Sequence, residues 1–328
     1  LGRASGARSG RFVGATRVWL DRPMKFSVGY PLLGHPADPA LVAPDFLAEF
    51  ARTAEDLGYD SVNITEHPIP GDKWLGAGGH HAIDPFVGLA FAAAATSRIR
   101  LLTNLTVLPY RNPFLLAKTV ASLDRVSGGR TILGVGTGYL KPEFFAMGVD
   151  FEERNDLFDE SIAVCRMAWT GESVTHEGRH FSVKGNSAQP PPVQDPVPIW
   201  IGGNAKLTRQ RVATVAQGWM PMPNPPQFAA TRRSPVLENF DDLAVMLDDL
   251  RARKAEAGRT EPTDVMFLSF DESAPCVGDW DPARAIAEIR TAEELGVTAF
   301  AITAMGATPE ESLEVVRTYG REVVAAFA

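Results

Sequence analysis

Cysteine is scarce in this sequence. The 328 residues include two, Cys165 and Cys276, too few for a disulfide framework or a four-thiolate zinc site. Unpaired thiols fit a reducing compartment, so a cytoplasmic location is expected. No run of about 18 apolar residues occurs, so no helix is long and apolar enough to span a membrane. Basic charge is not in excess either: 32 Lys and Arg against 40 Asp and Glu give −8, which argues against a nucleic-acid partner. Also missing is a G-x-G-x-x-G turn after the first apolar run, as a dinucleotide-binding doubly wound sheet needs. That run leads instead into Pro31-Leu32-Leu33-Gly34-His35-Pro36. The remaining composition, 45% hydrophobic and 22% charged, is that of a globular chain. At this length ~75% of the unfolded surface can be buried without staples.

Residues 1–23 stand apart. They hold Arg3, Arg8, Arg11, Arg17 and Arg22 against the single acid Asp21, a net of +4, which leaves −12 on the rest of the −8 chain. An Arg- and Ser-rich transit peptide would look similar. The expectation is an upstream or vector-derived extension, disordered as chain ends tend to be, with the domain running over 24–328.

From Met24 onward, short apolar runs alternate with helix-period segments. Strands are expected at 25–30, 60–65, 99–108, 130–136, 198–201, 218–220, 265–270 and 298–303. Helices are expected at 45–57, from Pro85 to about 95, from Pro113 to about 126, at 154–169, 207–215, 241–257 and 282–295, and from Pro309 on. Asp84-Pro85, Asn112-Pro113 and Thr308-Pro309 each pair a capping residue with proline at the first helical position. Eight strands, each followed by a helix, indicate parallel βαβ units and an α/β fold, a closed (β/α)8 TIM barrel. One insertion, 172–196, falls between the fourth helix and fifth strand. Its runs 173–175 and 181–183 flank Glu177-Gly178 and read as a β-hairpin. The five-proline stretch 220–235 reads as an irregular loop.

Barrel chemistry sits at the C-terminal ends of the strands. After the second strand come Glu66 and His67; a carboxylate beside an imidazole can hold its tautomer for proton transfer. The third strand ends in Thr103-Asn104-Leu105, and the fourth in Gly136-Thr137-Gly138-Tyr139. After the fifth come Gly202-Gly203-Asn204, where glycines and free amides at a helix start suit a phosphate, though a tight turn binding nothing has the same look. Trp74, His80, His81, Trp219 and Met222 are expected to roof the pocket. His176-Glu177-Gly178-Arg179-His180 spells the zinc-protease H-E-x-x-H. That pattern works only on a helix, and here it lies in the hairpin, so no metal site is expected.

These stretches together resemble the luciferase-like monooxygenase superfamily, and within it the branch using the deazaflavin coenzyme F420. The matching segments are YDSVNITEHP (59–68), ATSRIRLLTNLTVL (95–108), RNPFLLAKTVASLDRVSGGRTILGVGTG (111–138), PIWIGGN (198–204) and GWM (218–220). The resemblance implies an F420-dependent oxidoreductase moving a hydride to or from an organic small-molecule substrate. His67 would be the acid/base or substrate anchor, with Glu66 the acid before it. Thr103, Asn104 and Leu105 would form a bulge behind the ring, with a non-proline cis peptide near Asn104-Leu105. Gly136, Thr137, Gly138 and Tyr139 would line the cofactor, and Gly202, Gly203 and Asn204 would grip its phosphate. Relatives often pair as homodimers. The alternative within the family is an FMN-dependent monooxygenase served by a flavin reductase; the alternative outside it is a cofactor binder without turnover. Two departures mark the chain: Pro68 follows His67 where a second His is common, and Tyr139 stands where Trp or Glu is common.

Overall fold

A computed structural model describes residues 23–271 and 275–328; the expected N-terminal extension lies outside the described residues except for Pro23. In chain order the elements are β1 (Lys25–Gly29), α1 (Pro44–Asp56), β2 (Ser61–Ile64), α2 (Asp72–Leu75), α3 (Pro85–Ala95), β3 (Arg100–Thr103), β4 (Thr106–Val107), α4 (Pro113–Ser127) and β5 (Thr131–Gly136). Then follow α5 (Lys141–Ala146), α6 (Arg154–Trp169), β6 (Val174–Glu177), β7 (Ser182–Asn186), β8 (Ile199–Gly202), α7 (Lys206–Val215), β9 (Gly218–Met220), α8 (Pro226–Arg232), α9 (Phe240–Glu256), β10 (Asp264–Leu268), α10 (Pro282–Leu295), β11 (Ala299–Thr303) and α11 (Pro309–Glu322).

The strands pair in parallel in the order β3-β2-β1-β11-β10-β9-β8-β5, and β3 closes on β5 through Leu101↔Thr131 and Leu102↔Ile132. The result is a closed eight-stranded barrel ringed by helices. β4 is the far half of the third barrel strand, resuming the ladder at Thr106↔Val135 after a two-residue bulge. β6 and β7 form an antiparallel hairpin between α6 and β8.

Alternation along the strands separates two apolar layers. Leu102, Ile132, Trp200, Met220, Met266, Ala299 and Ala301 fill the barrel interior. Their neighbours Leu101, Leu133, Ile199, Ile201, Phe267 and Phe300 point outward and pack against the helices. The helix starts form for local reasons. The side chains of Asp84 and Asn112 each accept two first-turn N–H groups ahead of a proline, and Thr308 caps α11 through Glu311 N–H. Buried Arg130 donates to the carbonyls of Ser127 (2.7 Å), Ile99 (3.0 Å) and Ala93 (2.9 Å). It thereby ties α3, α4 and the entry to β3 together at the end of the barrel opposite the strand C-termini.

Candidate active site at the strand ends

The second strand ends by sending His67 into the barrel mouth. Its Nδ1 lies 3.4 Å from both carboxylate oxygens of Glu143. Glu143 sits on α5 and is buried; its Oε2 also accepts the Tyr110 hydroxyl at 3.2 Å. Burial, and then the adjacent Glu143 carboxylate, push the Tyr110 hydroxyl well above its ordinary pKa, so it stays a donor. Tyr110, Glu143 and His67 thus form one chain. With Nδ1–H turned to a carboxylate, the tautomer that remains has its lone pair on Nε2. Among the described residues no hydrogen bond engages Nε2. The imidazole is walled by Trp74 at 4.6 Å and by His80 at 4.9 Å between ring centroids, and only 9% of its side chain is exposed.

Glu143→Gln is expected to lower kcat by roughly 10–100-fold with little change in KM. An amide can present N–H as readily as oxygen and no longer favours one tautomer. Steady-state kinetics at saturating substrate check this; an unchanged kcat would remove Glu143 from the site.

Burial pushes the His80 imidazole from 6.5 down to about 4, and the His67 ring adds to the shift. Between those two values the unfolded chain binds more protons than the folded one, so stability falls as pH falls from 6.5 toward 4. Melts of His80→Phe are expected to lose part of that acid sensitivity.

Glu66 does not partner His67. Successive residues in extended chain project to opposite sides, and the Glu66 carboxylate turns away. It accepts Val107 N–H at 2.6 Å and Arg111 Nε at 2.8 Å, while Arg111 also reaches Asp84. Glu66 is a buried pin for the bulge and for the start of α4.

In the bulge, the Asn104–Leu105 peptide bond is cis. Thr103 is fully buried and donates to Gly134 O at 2.7 Å. Asn104 N–H donates to Ile64 O at 2.7 Å, and its side-chain amide to Asn63 Oδ1 at 3.2 Å. Leu105 fills the space that a Cβ on Gly136 (2.6 Å) or Gly202 (2.4 Å) would need. Those two glycines therefore admit Leu105, and no ligand is needed to explain them. Gly138 takes φ +76° against Val107 and Phe144. Beside it, Thr137 and Tyr139 are half-buried.

After β8, Gly203 takes φ +109°. Its N–H is already given to Met220 O (3.1 Å), and its carbonyl accepts Trp219 Nε1 (2.9 Å). Asn204 is fully buried and bonds Met222 N–H, Met222 O and Pro235 O through its side chain, clamping the loop after β9. Gly203 and Asn204 thus have no free amides for a phosphate. The open amides come next, in the first turn of α7. There the N-cap Ala205 has no side chain able to cap the amides, no acid is present, and Lys206 stands at the first position. Trp219 is also misplaced in the expected roof: it is fully buried. In the hairpin, His176 Nε2 and the amides of His180 and Phe181 dock on Glu160 of α6 at 3.2, 2.9 and 3.0 Å. Among the described residues no group of three or more His, Cys, Asp or Glu is placed to hold a metal ion.

A family model described as luciferase-like monooxygenase matches residues 24–271. The chain belongs to this family. Among curated relatives, the F420-dependent glucose-6-phosphate dehydrogenase of Kineococcus radiotolerans is 32% identical over 276 residues, 83% of this chain and 75% of that protein. Among solved structures, monooxygenase RslO1 from Streptomyces bottropensis superposes with a TM-score of 0.77 at 21% identity, covering 93% of this chain and 100% of that one. The coenzyme F420 dependent tetrahydromethanopterin reductase from Methanopyrus kandleri gives 0.70 at 20% identity, covering 93% and 100%. At those identities the structural likeness speaks for the shared barrel. In this member of the luciferase-like family two residues shape the surroundings of His67 and the fourth-strand loop. Tyr139 stands in the fourth-strand loop, and Glu143 is the acid that reaches the second-strand histidine.

Proposed function

We propose that this chain is an oxidoreductase that passes a hydride between coenzyme F420 and an organic substrate, with His67 handling the accompanying proton. The observation that carries this is the Tyr110–Glu143–His67 chain, which leaves Nε2 unengaged at the strand ends. The curated relative named for F420 dependence supports the choice of coenzyme. The residues present suit such a group. The first-turn amides of α7 with Lys206 would hold a phosphate, and the bulge would back a flat ring. The deazaflavin, when bound, supplies the hydride acceptor or donor. The chain's own part is positioning. His67 Nε2 takes the hydroxyl proton as a substrate alcohol is oxidised, and returns it in the reverse direction. Glu143 keeps Nδ1 protonated and balances the imidazolium. Trp74 and His80 keep water off the ring.

A second reading, an FMN-dependent monooxygenase fed by a flavin reductase, draws support from the family's description. A melting screen separates the two. F420 at 100 times its dissociation constant is expected to add ~2.7 kcal/mol of stability, with no comparable effect of FMN or nicotinamide cofactors. Stabilisation by FMN alone would favour the second reading, and stabilisation by none would defeat both.

A further inference from the structure

Beside the same mouth, four cations gather with little to balance them. Phe151 lies between Lys141 Nζ at 4.8 Å, the Arg154 guanidinium at 3.9 Å and the Arg233 guanidinium at 4.8 Å from its ring centroid. Arg232 adjoins Arg233 and is held by Pro223 O at 3.3 Å and Asn224 Oδ1 at 3.4 Å. Among the described residues only one carboxylate pairs with any of the four: Glu152, 3.5 Å from Lys141 and 3.8 Å from Arg154. Arg233 is exposed and has no carboxylate partner among them. The contrast is with a chain of net charge −8, in which Arg209, Arg211 and Arg253 all meet aspartates. An aromatic face attracts an exposed cation only weakly, which does little against like charges crowded together.

The cluster's place gives it a ligand. Lys141 opens α5 two residues after Tyr139, and Arg232 lies close enough to act on the Tyr139 hydroxyl. Ser234, next to Arg233, accepts Asn204 N–H at 3.4 Å, immediately before the open first turn of α7. The cations therefore continue outward from the amides assigned above to a phosphate. We infer that Lys141, Arg154, Arg232 and Arg233 form a second anion subsite, which takes a flexible tail carrying carboxylates beyond the first phosphate. This rests on the F420 reading, since the tail of that coenzyme carries such charges and FMN ends at one phosphate. The subsite would be where the chain tells the two apart.

The test is the dissociation constant of F420, and of the deazaflavin riboside lacking the tail, for the full chain and for a Lys141→Glu/Arg233→Glu double variant. Both positions are exposed, and the melting temperature of the variant serves as the check on folding. The expected result is F420 binding weakened about tenfold or more, with a shallower salt dependence and riboside binding unchanged. A variant that binds F420 as the parent does, or that loses both ligands equally, overturns the subsite and leaves the F420 reading standing. A parent chain that binds no F420 overturns that reading and the subsite with it.

Discussion

Replacing His67 with alanine is expected to cut turnover by roughly 10²–10⁴-fold, the usual worth of a positioned acid or base, while the dissociation constant for the coenzyme changes little. The asymmetry follows from the geometry. The groups assigned to the phosphate lie on α7 and the ring support lies in the bulge after β3, so neither depends on the imidazole. Proton transfer has no substitute nearby. His80 is held neutral with its pKa near 4, Glu66 is consumed by Arg111 and Val107, and Glu143 is buried behind the imidazole. Coenzyme titration followed by single-turnover hydride transfer against a panel of alcohols separates the two quantities. Loss of coenzyme binding with an unchanged rate on the bound fraction would make His67 a binding residue.

The largest structural effect is expected at Gly134. A Cβ there would lie 1.9 Å from Thr103 O and 3.0 Å from Met220 Cε. The first contact is with backbone, in a strand paired on both sides, so no side-chain rotation relieves it. Gly134→Ala must push β3 away from β5 at the point where the Asn104–Leu105 bulge begins. A cost of about 3 kcal/mol is expected, seen as a fall of roughly 6–12 °C in Tm, together with weakened coenzyme binding. Gly34→Ala is the control: its Cβ would meet only Pro36 O at an ordinary 3.8 Å, and a change within ~0.5 kcal/mol is expected. Equal melting temperatures for the two variants would contradict the packing described at the bulge.

Most of the barrel was legible because each strand and long helix carries its own period. The expected helices at 154–169 and 282–295 match α6 and α10 residue for residue. The third strand, read as one run over 99–108, is broken in two by the bulge, which no alternation of side chains announces. Part of the site was not legible, for a related reason. Glu143 and Arg232 ride on α5 and α8, helices of six and seven residues. That is too short for an apolar stripe to repeat. Proline at the start of α5 and α8 was the available signal. Adjacency misled at Glu66, because neighbours in extended chain face opposite ways. At Gly202-Gly203-Asn204 the composition pointed to a phosphate grip. Composition could not show that Leu105, Met220 and the loop after β9 claim those groups first, leaving the amides of α7.

The most direct measurement is a crystal of the protein soaked with F420. Density is expected across the strand ends, with the ring against the Asn104–Leu105 bulge, its reactive edge toward His67 Nε2 and its phosphate on the first turn of α7. Density elsewhere, or an imidazole turned from the ring toward protein, would contradict the proposed function.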